Sequence, residues 1–136
     1  MIDSDAAFRA ILAAATPVTT LTSTRMYEGF LPEGASAGAT IARPAITFEV
    51  DEAAGGEDHA LPIIDIPYTV RCWASSTLGA RALYRVVKDA VVAVNNQVFA
   101  SVFCYEAWET QTGRNNEHET GGCYCEGILT VSMRTA

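Results

Sequence analysis

The sequence predicts an α+β fold: an antiparallel or mixed sheet of about four main strands, with a long helix and a short N-terminal helix packed on one face. Three observations lead there. Segments 44–51, 64–74 and 123–134 alternate apolar and polar residues, the period of a half-buried strand. Segment 77–95 repeats its apolar residues at helical spacing instead. The resulting order of helix, strand, strand, helix, strand, strand packs most simply as one sheet with helices against it. At 136 residues the chain has the size of one domain, with 49% hydrophobic and 18% charged residues to build its core and surface.

Taken in order, Asp3-Ser4-Asp5 offers capping oxygens and negative charge for a helix start. Phe8, Ile11, Leu12 and Ala15 then recur on one face, which predicts a helix from about Ser4 to Ala15. Thr16-Pro17 stops it, and 18–24 reads as a turn or a second small piece. From Gly29 to Ala42 the Gly, Ala, Ser and Pro content reads as an extended connection. The strand that follows puts Ile46, Phe48 and Val50 on one face and Thr47, Glu49 and Asp51 on the other. Glu52 to Pro62 lacks periodicity and reads as a long loop. The second strand covers Ile64 to Ala74, with Ile66, Tyr68, Val70 and Cys72 opposite Thr69, Arg71 and Trp73.

Ser75-Ser76-Thr77 caps the clearest helix, whose buried face is Ala80, Leu83, Val87, Ala90, Val91 and Val94. Arg81, Arg85 and Lys88 lie opposite, with Val92 in the middle of that basic face, where a lone subunit normally carries a polar residue. Asn95-Asn96 ends the helix. Val98 to Trp108 reads as one strand with both faces partly covered, and Gln111 to Gly122 as a second long loop. The final strand points Cys123, Cys125, Gly127, Leu129, Val131 and Met133 one way and Tyr124, Glu126, Thr130, Ser132 and Arg134 the other.

The net charge of −7 disfavours a phosphate-binding surface, since nucleic-acid affinity comes largely from Lys and Arg. An acidic surface suits a wall past which DNA slides without sticking. The N-terminus has no basic n-region, and no stretch approaches a membrane span or a lipidation signal, so retention in the cytosol is expected. In that setting Cys72, Cys104, Cys123 and Cys125 are expected to be thiols.

Few residues invite chemistry. Cys123 and Cys125 project from one strand face, and Cys104 or His118 could complete a zinc site with them, although structural zinc knuckles favour two intervening residues. A reduced apolar core face competes with that reading. Glu49 and Asp51 share a face as paired carboxylates do in glycosidases, but it is the polar side of an amphipathic strand. His59 and His118 sit in loop-like segments without a nucleophile elbow, and no phosphate-cradling glycine loop, HExxH or EF-hand spacing is present. No cofactor and no catalytic or metal-ligating set is expected.

Several short motifs resemble the tail-completion, or tail-terminator, proteins of long-tailed phages and gene-transfer particles. They are Arg25-Met26-Tyr27-Glu28-Gly29 after a short amphipathic helix, Pro44-Ala45-Ile46-Thr47-Phe48 entering a strand, and Tyr68-Thr69-Val70-Arg71-Cys72-Trp73-Ala74 before a helix carrying Leu83, Val87 and Val91. The resemblance spans nearly the whole chain, and the four cysteines and the 111–122 segment depart from it. It implies a non-enzymatic α+β subunit that forms a hexameric ring at the head-proximal end of the tail tube, in the virion neck. Its implied partners are other copies of itself, the tail-tube protein and a head-completion or connector protein, with DNA passing through unbound and no membrane involved.

Within that reading Tyr27, Phe30, Trp73, Val92, Glu52, Glu57 and Asp58 are the candidate subunit-interface residues. Trp73 reads first as an aromatic that closes the strand-to-helix corner and second as an interface anchor, while for Tyr27 and Phe30 the two readings divide more evenly. Two alternatives stay open: another virion ring component, such as a tail-tube or head-closure protein, and a small metal- or ligand-binding module built on the cysteine face.

Overall fold

The computed structural model describes residues 3–29, 44–51, 63–117 and 123–134. Three helices, α1 (Ser4–Ala14), α2 (Thr16–Thr22) and α3 (Thr77–Val92), accompany six strands. These are β1 (Met26–Glu28), β2 (Ala45–Val50), β3 (Ile63–Ala74), β4 (Asn95–Phe99), β5 (Val102–Glu117) and β6 (Cys123–Arg134). They form one mixed sheet in the order β1-β2-β3-β6-β5-β4, with β1 parallel to β2 and every other pair antiparallel. The fold is α+β as the sequence predicts, with six strands where about four were expected.

Strands β3 and β6 are the middle of the sheet and pair over twelve residues, from Ile63–Arg134 to Ala74–Cys123, without a register shift. Because successive side chains point to opposite faces, one face collects Ile64, Ile66, Tyr68, Val70 and Cys72 with Cys125, Leu129, Val131 and Met133, all buried. Helices α1 and α3 cover that face. Asp3 caps α1 by accepting a hydrogen bond from the Ala6 N–H at 2.9 Å, and Ser76 caps α3 by accepting one from Gly79 at 3.1 Å.

An aromatic cluster fixes α1 on the sheet. The Phe8 ring stacks on Tyr68 with centroids 4.1 Å apart and meets Phe48 at 5.1 Å. The Tyr68 hydroxyl donates to the Ser4 carbonyl at 2.8 Å, so the ring that packs against the helix is also tied by its polar end to the backbone at the helix start. From α3, Ala80, Leu83, Tyr84, Val87 and Val91 are buried against the sheet. Tyr84 lies over two of the described glycines, Gly113 and Gly127. A methyl group placed on Gly113 would run into the ring, and one on Gly127 would run into the hydroxyl. Both strands carry glycine where the ring needs bare backbone.

Of the two readings of segment 18–24 the structure shows the second small piece, whereas β1, the end of α3, β4 and the far part of β5 depart from the sequence reading. Thr16-Pro17 ends α1 and at once begins α2, where proline occupies the first turn that lacks hydrogen-bond partners for its N–H groups anyway. Helix α3 stops at Val92 rather than Asn95, and Asn95 enters a strand. The predicted strand from Val98 to Trp108 is a hairpin instead. Phe99 pairs with Val102 across Ala100 and Ser101, whose φ angles of 49° and 66° lie in the left-handed region that two-residue hairpins need. Ala-Ser lacks the Asn-Gly or Asp-Gly signature of such a turn, which hides β4 in the sequence. The predicted loop from Gln111 is β5 as far as Glu117, and its alternation is lost because three register shifts interrupt the pairing with β6.

The Tyr84 contact yields a test. Gly127→Ala is expected to destabilise the fold by about 1–3 kcal/mol through overpacking. In a Tyr84→Ala background the same substitution should cost much less, since the clash partner is gone. Urea titration of the four chains of this cycle gives the coupling, and equal costs in both backgrounds would reject the assigned contact.

Candidate assembly surface

The sheet face turned away from the helices is not a plain solvated surface. Tyr27 of β1, Ala45 of β2, Trp73 of β3 and Tyr124 of β6 form a small second apolar cluster there. Trp73 is 8% exposed, tilts onto Tyr124 with centroids 4.6 Å apart, and donates its indole N–H to the Thr47 hydroxyl at 3.0 Å. Thr47 was expected on a solvated face with Glu49 and Asp51. It is buried as the indole's acceptor, and Glu49 beside it is exposed.

A polar belt continues from this cluster. The Arg71 guanidinium donates to the Glu126 carboxylate at 2.8 Å and lies 5.6 Å over the Tyr124 ring. That pair holds Arg71 above its ordinary value against the opposing pull of its burial. Thr110 and Thr130 share a short hydrogen bond between their hydroxyls across β5 and β6. Where β5 shifts register, a polar cleft of about 330 Å³ opens between Arg114, Asn116, Tyr124 and Glu126. It offers amide, guanidinium and carboxylate groups, with neither a nucleophile–base pair nor a closed apolar chamber.

The other unusual surface belongs to the helices. Leu78, just inside the start of α3, is 81% exposed, and Val92 at its end is 39% exposed. They share one stripe with Arg81 and Arg85, neither of which pairs with an acid among the described residues. Near the far end of α3 an apolar groove of about 260 Å³ runs between α1 and α3. The two helices bring alanines to it at Ala14, Ala15, Ala90 and Ala93.

Of the predicted interface residues, Tyr27 and Trp73 come together in the outer cluster, the first half-buried and the second almost wholly so. Val92 lies apart from them, exposed on α3. Phe30, Glu52, Glu57 and Asp58 lie outside the described residues. The sequence reading passed over Leu78, although its place two residues after the Ser76 cap and fourteen before Val92 puts it on the same helix stripe. It also passed over the groove, because alanines on two distant helices give no local signal.

All four cysteines are free, and no three metal-capable side chains gather among the described residues. Cys72 faces Cys125 across β3 and β6, whereas Cys104 lies opposite Met133 and Cys123 opposite Ala74. Burial raises the thiols of Cys72 and Cys125, and pushes Cys104 up to about 11. Burial also raises Tyr84, whose hydroxyl donates to Glu109 at 2.6 Å. Among the described residues no helix is long and apolar enough to cross a membrane.

No protein-family model matches the chain, and no curated protein matches it. Its fold is similar to that of a chain solved in the virion of a native gene transfer agent particle. The TM-score is 0.68, with 16% identity over 96% of this chain and 96% of that one. At that identity the likeness is one of fold.

Two measurements check this geometry. Trp73→Phe removes the donor to buried Thr47 and should cost about 1–3 kcal/mol in thermal unfolding, with Thr47→Val restoring part of it. An undiminished melting temperature in Trp73→Phe would contradict the indole–hydroxyl pairing. The raised thiols predict a direction with pH. They are protonated in both states below about pH 9, and above it the unfolded chain loses their protons first. Stability is therefore expected to fall as pH rises from about 9 towards 11, and less steeply in Cys104→Ala.

Proposed function

We propose that this chain is a structural subunit of a phage-type virion and acts as a tail-completion protein. In this reading it forms a ring, six subunits by the resemblance, at the head-proximal end of the tail tube. The ring ends tube growth and joins the tail to a head-completion or connector protein. The observation that carries the reading is the fold shared, nearly end to end, with a chain of a gene transfer agent virion.

The sequence motifs from Arg25 to Gly29, Pro44 to Phe48 and Tyr68 to Ala74 give the finer role. In the structure they fall on β1, β2 and β3, three adjacent strands at one side of the sheet. The charge supports it as well. A net charge of −7 repels DNA, as the lining of a conduit should, and disfavours a broad phosphate-holding surface. No enzymatic role is proposed: the outer cleft carries binding groups without an activated nucleophile.

Electron microscopy of particles made without this gene tests the role directly. DNA-filled heads apart from headless tails, some of abnormal length, are the expected result. Normally joined particles would refute it, and a complete loss of tail tubes would assign the chain to the tube instead.

A further inference from the structure

The two unusual features of the helical layer fit each other. Leu78 is the most exposed large apolar side chain among the described residues, and the groove at the far end of α3 is apolar and open. The two lie fifteen residues apart on one helix axis, about 22 Å at 1.5 Å per residue, so no chain can fill its own groove with its own Leu78. At about 260 Å³ the groove is smaller than the roughly 300–1,000 Å³ of small-molecule sites, and it suits a side chain better than a ligand.

The charges at the two ends are also complementary. The first turn of α3 carries the positive end of the helix dipole with no acidic residue to offset it, and Arg81 and Arg85 follow on the Leu78 stripe. The groove lies where α1 and α3 both end. Neither helix has a basic residue in its last turn, and because α2 starts where α1 ends, the negative dipole end at the groove is that of α3, with Asp89 next to Ala90 in sequence. Lys88 is adjacent, but its ammonium is 4.0 Å from Asp89 and partly neutralised by it.

We infer that Leu78 of one copy seats in the groove of Ile11, Ala14, Ala15, Ala90, Ala93 and Val94 of a second copy. The inference rests on the ring-subunit reading and names the contact that joins its subunits. Because knob and groove are different patches, the contact is head-to-tail, the arrangement that yields a closed ring or an open filament rather than a two-fold dimer.

Two variants test it. Leu78→Glu places a charge where the knob enters, and Ala93→Trp fills the groove. Both positions are exposed, so native circular dichroism should survive in each. Each variant alone is expected to lose self-association, measured by sedimentation of the full chain over rising concentration, by roughly ten- to a hundredfold, the worth of one buried leucine. Mixed together they retain one intact contact, the knob of Ala93→Trp with the groove of Leu78→Glu, and should stop at a 1:1 heterodimer.

A second measurement covers weak association. In a Cys123→Ser background, Leu78→Cys with Ala93→Cys should give a ladder of disulfide-linked oligomers on mild oxidation. Leu78→Cys alone has no partner thiol in a head-to-tail contact and should stay monomeric on the same oxidation. Variants that assemble like the parent chain, a mixture that forms no heterodimer, or a double-cysteine chain that gives no ladder would each overturn the contact. The two proposals fail separately. Joined particles without the gene, together with a ladder, would remove the virion role and keep the contact. Unjoined particles without a ladder would do the reverse.

Discussion

The pairing of β3 with β6 is the constraint on which the other elements depend. Twelve consecutive residue pairs without a shift fix which side of each strand is apolar, and a slip of one residue would turn Tyr68, Val70, Leu129 and Val131 away from the helices. Once that face is set, α1 has one place to put Phe8 and α3 one place to put Leu83 and Val87. The two glycines under Tyr84 lie on β5 and β6, so the same register also decides where α3 comes closest to the sheet. β2 and β5 then extend the ladder on either side, and the short edge strands β1 and β4 complete it.

Dependence on register explains what could be read from the chain. The sequences of β2, β3 and β6 alternate on a period of two over most of their length, and α3 is amphipathic on the helical period, so local pattern and the helix-facing side agree. They disagree in β5, where three shifts against β6 break the alternation and polar residues from Gln111 to Glu117 pair as a strand. They disagree again at Ala100-Ser101, a tight turn without glycine or asparagine, which left β4 undetected. In both places long-range pairing overrides local preference, and a single sequence carries no mark of the partner strand.

The candidate surfaces were legible to a similar degree and for the same reason. Val92 stood out because a helix wheel is a local construction. Trp73 and Tyr27 were noticed as aromatics, but their joining through Thr47 and Tyr124 depends on strand order, which brings residues about fifty and a hundred positions apart onto one face. The alanine groove needed the most tertiary information of all. Ala14 and Ala15 end one helix, Ala90 and Ala93 end another, and only the packing of both on the sheet leaves a gap between them.

Assembly of copies that each carry −7 charges needs a local solution, since like charge opposes any compact ring. At physiological ionic strength charges separated by more than about 8 Å are largely screened, so the net charge matters less than what meets at the contact. At the start of α3 the groups that meet a neighbour are basic and apolar. At the groove they would be mainly the apolar side chains of Ala14, Ala15, Ala90 and Ala93, at the negative dipole end of α3. In the proposed contact an acidic chain sets Arg81 and Arg85 beside an apolar side chain, so that local attraction and apolar burial offset the repulsion of the whole. The outer sheet face, where Trp73 leans on Tyr124 and Arg71 bonds Glu126, lies on the other side of the sheet from α3 and takes no part in the proposed contact.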